Sequence, residues 1–141
     1  AVAINAPAGA QLRIVNYNSA QLGGDLNAFE DVLAETHVDD AAGFATPVAI
    51  FVFQEVRTQD RPMIMDMLND SAPAGVSYSG ATYTNADKDG FAGAQAMFYR
   101  SDLLIEDSSA HDDIFTGAGR NADRWKLDLI DYDSPDASLY I

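Results

Sequence analysis

The chain has 141 residues, enough for a domain with a real core, and its apolar fraction of 48% excludes wholesale disorder. Cysteine is absent, which removes disulfides, thiolate metal sites and cysteine nucleophiles. With 22 acidic against 8 basic residues the formal charge is -14, a field that repels phosphate backbones and disfavours non-specific binding to duplex nucleic acid. Such acidity serves solubility, life in a salty medium, or recruitment of divalent cations, and charge alone leaves all three open. The longest apolar run, Val48–Phe53, is strand-sized, so no membrane span is expected. The opening AVAINAPAGA is small and neutral, as a processed or trimmed terminus would be. The compartment stays open, with an extracellular or periplasmic location as the expectation.

The spacing predicts a first strand over Gln11–Asn18, where Leu12, Ile14 and Val15 precede a polar Asn16–Asn18 end at a rim. After a Gly23–Gly24 turn, Asp25 can cap a helix with Leu26, Phe29, Val32 and Leu33 on one face. His37 closes that helix, where a donor suits the exposed carbonyls. Ala41–Pro47 reads as a loop. Val48–Phe53 is a continuous apolar strand, covered on both faces, that stops abruptly at Gln54–Glu55. A second helix starts near Thr58 or Asp60, tolerates Pro62 in its first turn, and buries Met63, Ile64, Met67 and Leu68.

Beyond Pro73 the pattern changes to strands over Val76–Thr84, Ala92–Arg100, Trp125–Tyr132 and Ser138–Ile141, with a loop-rich Asp102–Arg124 between them. The chain therefore reads as one α/β unit that passes from a parallel crossover pair into antiparallel strands, without repeats or a linker. Its last segment, DASLYI, begins a strand and stops, as a truncated domain would.

Two polar groups stand at the carboxyl ends of neighbouring strands: Asn18 after RIVNY and Glu55 after IFVFQ. That edge of an α/β sheet is where ligands bind, because the strands hold side chains rigidly while the loops vary. A carboxylate there suits a hard cation, and an amide beside it can hold a phosphate or a metal-bound water without adding charge. A turn cap and a solvated loop residue explain the same two positions equally simply.

LRIVNYN followed by AIFVFQEV resembles the first two signature segments of the endonuclease/exonuclease/phosphatase (DNase I-like) superfamily. There a strand ends in an aromatic-Asn pair, here Tyr17–Asn18, and a hydrophobic strand ends in Gln-Glu, here Gln54–Glu55. AQAMFYRSDLL and DRWKLDLIDY resemble two later strands, in the right order. The resemblance implies an α/β (α+β) fold, the amino-terminal half of a four-layer α/β/β/α sandwich, with a mixed sheet and two flanking helices. It implies a single domain over residues 1–141, cut short at its carboxyl end. It implies a hydrolase acting on phosphodiesters or phosphomonoesters, a nuclease or phosphatase, with Mg²⁺ (or Mn²⁺ or Ca²⁺). Glu55 and Asn18 would be the metal-binding and catalytic residues. Asn18 would orient the phosphate or the attacking water, and Arg124 would face substrate phosphate unless it serves a structural salt bridge.

Departures from the family pattern are Ala20, where many nucleases carry an acidic residue, and Ala49, where Asp often leads into the second strand. The family's histidine-bearing strand, Asp-x-Asn pair and terminal Asp-His pair follow the arginine-led strand and are not found here. Without them general acid–base work lacks an agent, so these 141 residues alone are not expected to be an efficient enzyme. The alternative is a non-catalytic member or fragment that binds or self-associates through exposed strand edges.

Other patterns dissolve on inspection. NADKDG imitates a calcium loop, but its twelfth position is Ala96 rather than glutamate, and Asp89–Gly90 suits a hairpin turn. Ser109, His111 and Asp112 are too close in sequence for a nucleophilic triad. The glycines of GFAG and GAGR do not join a strand to a helix, and the basic residues are too scattered for a nucleic-acid patch.

Overall fold

A computed structural model of the chain describes residues 12–38, 47–84, 94–116, 121–130 and 137–141. The expected 41–47 loop falls almost wholly outside these residues, and the expected NADKDG hairpin falls outside them altogether.

Strand β1 (Ile14–Asn18) leads through helix α1 (Leu26–Val38) into β2 (Ile50–Val56), which pairs with β1 in parallel from Ile14↔Ile50 to Asn18↔Gln54. Helix α2 (Arg61–Ser71) follows, then β3 (Tyr78–Gly80) and β4 (Ala94–Arg100). Antiparallel pairing of β4 with both β2 and β3 completes a mixed sheet in the order β1-β2-β4-β3.

The apolar run of β2 is the centre of the molecule, because alternate residues feed two cores. Phe51 and Phe53, with Ala96 and Phe98 of β4, face the helices and pack with Phe29, Leu33, Ile64 and Leu68. Ile50 and Met97 face the other way, against Leu104, Trp125 and Leu127. That second face is covered by another sheet, in which β8 (Lys126–Leu129) lies between β5 (Leu104–Glu106) and β9 (Ser138–Tyr140). The layers thus run helices, mixed sheet, second sheet. A separate antiparallel ladder joins β6 (Asp112–Phe115) to β7 (Asn121–Arg124).

Both helices form where expected, with local differences. Asp25 Oδ1 accepts the Asn27 amide at 3.0 Å and the Ala28 amide at 3.4 Å, which satisfies donors that the first turn leaves unpaired. The buried stripe of α1 runs Phe29, Leu33, His37, a strict four-residue step, so Val32 and Leu26 fall outside it and are exposed. His37 does not serve the helix end as a donor. It is buried, its two ring nitrogens have no hydrogen-bond partner, and its ring lies 5.6 Å from Phe51 and 5.8 Å from Tyr78. In α2, Ile64 and Leu68 are fully buried while Met63 is exposed. Arg57 grips Asp60 ahead of α2 with two nitrogens, at 2.7 and 3.0 Å.

The Asp102–Arg124 stretch is not a loop but holds β5, β6 and β7. Three- and four-residue strands such as DDIF and NADR carry Asp and Asn, which favour turns in isolation, and only the ladder between them fixes their form. Conversely, only Tyr78–Gly80 of the expected Val76–Thr84 strand joins the sheet. Beyond it, the Thr82 carbonyl accepts the Trp125 indole N–H at 2.7 Å, and the Thr82 amide bonds the Glu106 carboxylate.

Candidate functional site

Parallel pairing places the carboxyl ends of β1 and β2 on one edge, with Asn18 directly beside Gln54 and Glu55 one residue further. The edge is stitched by Ser19, whose hydroxyl donates to the Gln54 carbonyl at 2.9 Å and whose amide donates to the same oxygen at 3.1 Å. Ser19 is one of three buried polar or charged residues among those described. Nothing in the local pattern marks it, because its role depends on which strand lies alongside. Gln54 Nε2 donates to Asn16 Oδ1 at 3.3 Å, which ties the two strands again. Asn18 Oδ1 accepts the Ala20 amide at 2.8 Å, and so the amide group is held at the rim.

Glu55 sits at a break in the β2–β4 ladder, where the register slips between Phe53 and Val56, and its φ is 59°. A bulge of this kind turns one side chain out of the alternation of its strand. A non-glycine residue in the left-handed region costs on the order of 1 kcal/mol and persists only where the surroundings impose it. Glu55 is half-buried and engaged with its surroundings. A cleft of about 290 Å³ opens next to Asn18, between the end of β1 and α1, and Tyr17, Ser19, Leu26, Phe29 and Val32 contribute to its wall.

Arg124, the third residue singled out from sequence, forms an ion pair with Asp112 at 3.2 Å across the β6–β7 ladder, and its guanidinium lies 5.9 Å from the Tyr140 ring. The structural salt bridge anticipated for it is therefore present, between two half-exposed side chains.

A second group was not apparent from the sequence. His111, Asp113 and Asp123 each present a ligating atom, and these atoms all lie within 4.8 Å of one another. The Asp113 and Asp123 positions are directly opposite in the β6–β7 register. Burial and the neighbouring Asp113 carboxyl push Asp123 up to about 7, while hydrogen bonds from Asp123 and Thr84 hold Asp113 below the usual carboxylate range. The Thr84 hydroxyl reaches both carboxylates. Ser109 takes no part, since its hydroxyl donates to Asp107 at 2.6 Å, and no Ser-His relay forms in the 109–112 segment.

In comparisons with known proteins the chain matches no family model, no curated protein and no solved structure. An edge offering a carboxylate and an amide is all oxygen and nitrogen-donor chemistry suited to a hard dication and a phosphate, whereas an imidazole with two carboxylates suits a borderline metal.

Proposed function

We propose that the chain carries one wall of a divalent-metal-dependent phosphoesterase site, centred on Glu55 and Asn18. The observation that carries the reading is the bulge. At the carboxyl end of the parallel pair, the backbone of Glu55 adopts a left-handed conformation at 59°, one residue past the Asn18–Gln54 pair. Strain of this sort collects where a side chain must be aimed for a purpose.

The donor set fits the ion that the resemblance implies. Magnesium is commonly held by one or two carboxylates, with waters and substrate phosphates supplying the remaining oxygens. Glu55 provides such a carboxylate. Asn18, with its carbonyl oxygen engaged by Ala20, offers amide hydrogens to a phosphate oxygen or an attacking water. A bound dication would stabilise negative charge on the phosphoryl and leaving oxygens. Arg124 serves as the phosphate contact by exchanging Asp112 for substrate, because a half-exposed ion pair is weak and easily broken.

The order of layers, helices then mixed sheet then second sheet, is compatible with part of a DNase I-like α/β/β/α sandwich. In the family that the chain resembles, such a site is completed by a histidine and further carboxylates. Substrate class is narrowed only by charge, which leans from duplex DNA toward small phosphoesters or lipid head groups.

The test is hydrolysis of bis(4-nitrophenyl) phosphate by the protein that carries this chain, with and without Mg²⁺ or Mn²⁺. Activity is expected to need the metal and to drop on the order of a hundredfold in Glu55→Gln, since even outer-shell changes cost tenfold or more. Metal-dependent hydrolysis that is unchanged in Glu55→Gln defeats the assignment.

A further inference from the structure

The β6–β7 ladder contains an arrangement that a sheet ordinarily avoids. Like charges directly opposite each other on neighbouring strands are destabilising, yet Asp113 and Asp123 face one another at such a pair. His111 precedes Asp113 by two residues, so strand alternation brings its side chain to the same face. The His111 side chain is 8% exposed and that of Asp123 only 2%. His111 Nε2 is buried without a hydrogen-bond partner, 3.4 Å from Asp123 Oδ1. A buried polar atom in that state calls for an explanation, and the two carboxylates it faces point to a ligand's role.

We propose that His111 Nε2, Asp113 and Asp123 form a binding site for a transition-metal dication of the zinc class, which pins β6 to β7 across their ladder. Zinc takes imidazole nitrogen and carboxylate oxygen at about 2.0–2.2 Å. Ligand atoms of a tetrahedral zinc lie about 3.4 Å apart; His111 Nε2 and Asp123 Oδ1 already have that spacing, and the widest separation in the group, within 4.8 Å, closes by about 1 Å through side-chain rotation. The imidazole selects against magnesium and calcium, which prefer oxygen alone. Thr84, from the segment after β3, hydrogen-bonds Asp113 and orients the ligands from outside. The Trp125 ring lies beside that of His111, with centroids 5.9 Å apart. Both the histidine and Asp123 are shielded from solvent, and three protein ligands leave the fourth position of the ion to a water. The site shares no ligand with Glu55 and Asn18 and stands independently of the phosphoesterase reading.

The test uses metal-stripped protein and zinc chloride, observing the imidazole nitrogens of the chain's two histidines by NMR alongside thermal unfolding. The His111 Nε2 resonance is expected to shift and saturate at one equivalent, and the melting temperature to rise, while magnesium chloride produces neither change. Asp123→Asn is expected to weaken zinc binding by more than about tenfold, and Glu55→Gln to leave it intact. A His111 Nε2 resonance unmoved by excess zinc overturns the proposal and leaves the two aspartates sharing a proton, a result read on unmutated protein. Equal zinc affinity in folded Asp123→Asn overturns it as well.

Discussion

Glu55 combines two demands on one residue. Its backbone is held left-handed at 59°, and it carries a carboxylate at the slip in the β2–β4 ladder, one residue past the Asn18–Gln54 pair. If the strain is kept for the sake of the carboxylate, stability and metal binding should separate on substitution. Glu55→Gly and Glu55→Ala both remove the carboxylate, but only glycine relaxes the left-handed backbone. Glycine is therefore expected to be the more stable of the two by about 1 kcal/mol, with both variants losing metal affinity, as measured by urea unfolding and metal titration. At this scale the sequence speaks for Asn18 and Glu55, because an apolar strand ending in a polar residue already points to a sheet edge. It is silent on the bulge and on Ser19, which exist only through the pairing of strands distant in sequence. The same holds for His111, Asp113 and Asp123. Their meeting depends on the β6–β7 register, and a connection with several residues between the strands leaves that register open.

Helix α1 shows how an element's contacts decide what a residue does. Its stripe of Phe29, Leu33 and His37 sets the helix against β2, and the last of these buries a titratable ring between Phe51 and Tyr78. Burial, then repulsion from Arg13 and Arg100, hold the His37 imidazolium form down, so its pKa lies below the ordinary 6.5. The unfolded chain binds a proton as pH falls through 6.5 while the folded chain resists it, so this residue's share of stability is present above that pH and is lost below it. Between about pH 7.5 and about pH 5.5, unmutated protein should lose more stability than His37→Leu in denaturant unfolding. An identical pH response of the two proteins would mean that His37 protonates freely in place. The helices and the long apolar strand were readable because their periodicity extends over many residues. The strands between Leu104 and Arg124 were not, since three or four residues with alternating Asp, Asn and Arg give too short a pattern to separate strand from turn.

For the whole molecule, charge and edges pull in opposite directions. Among the described residues the mixed sheet ends on β1 and β3, and the second sheet on β5 and β9, edges of the kind at which another copy pairs. The formal charge of -14 opposes that association through repulsion between like molecules. Light scattering over a wide concentration range is expected to show a constant monomer mass at moderate salt. A mass that climbs with concentration would favour assembly through strand edges over a phosphoesterase role. Charge also draws divalent cations to the surface without regard to site, so bulk affinity says little and the position of the ion says most. The decisive measurement is therefore Mn²⁺ titration of the Asp123→Asn protein, with paramagnetic broadening followed amide by amide in NMR spectra. Broadening should begin at Asn18, Ser19, Glu55 and Val56 and disappear from them when Glu55→Gln is added. Broadening spread evenly over the acidic surface, or unchanged at those four amides in the Glu55→Gln protein, would show that this strand edge is not a metal site.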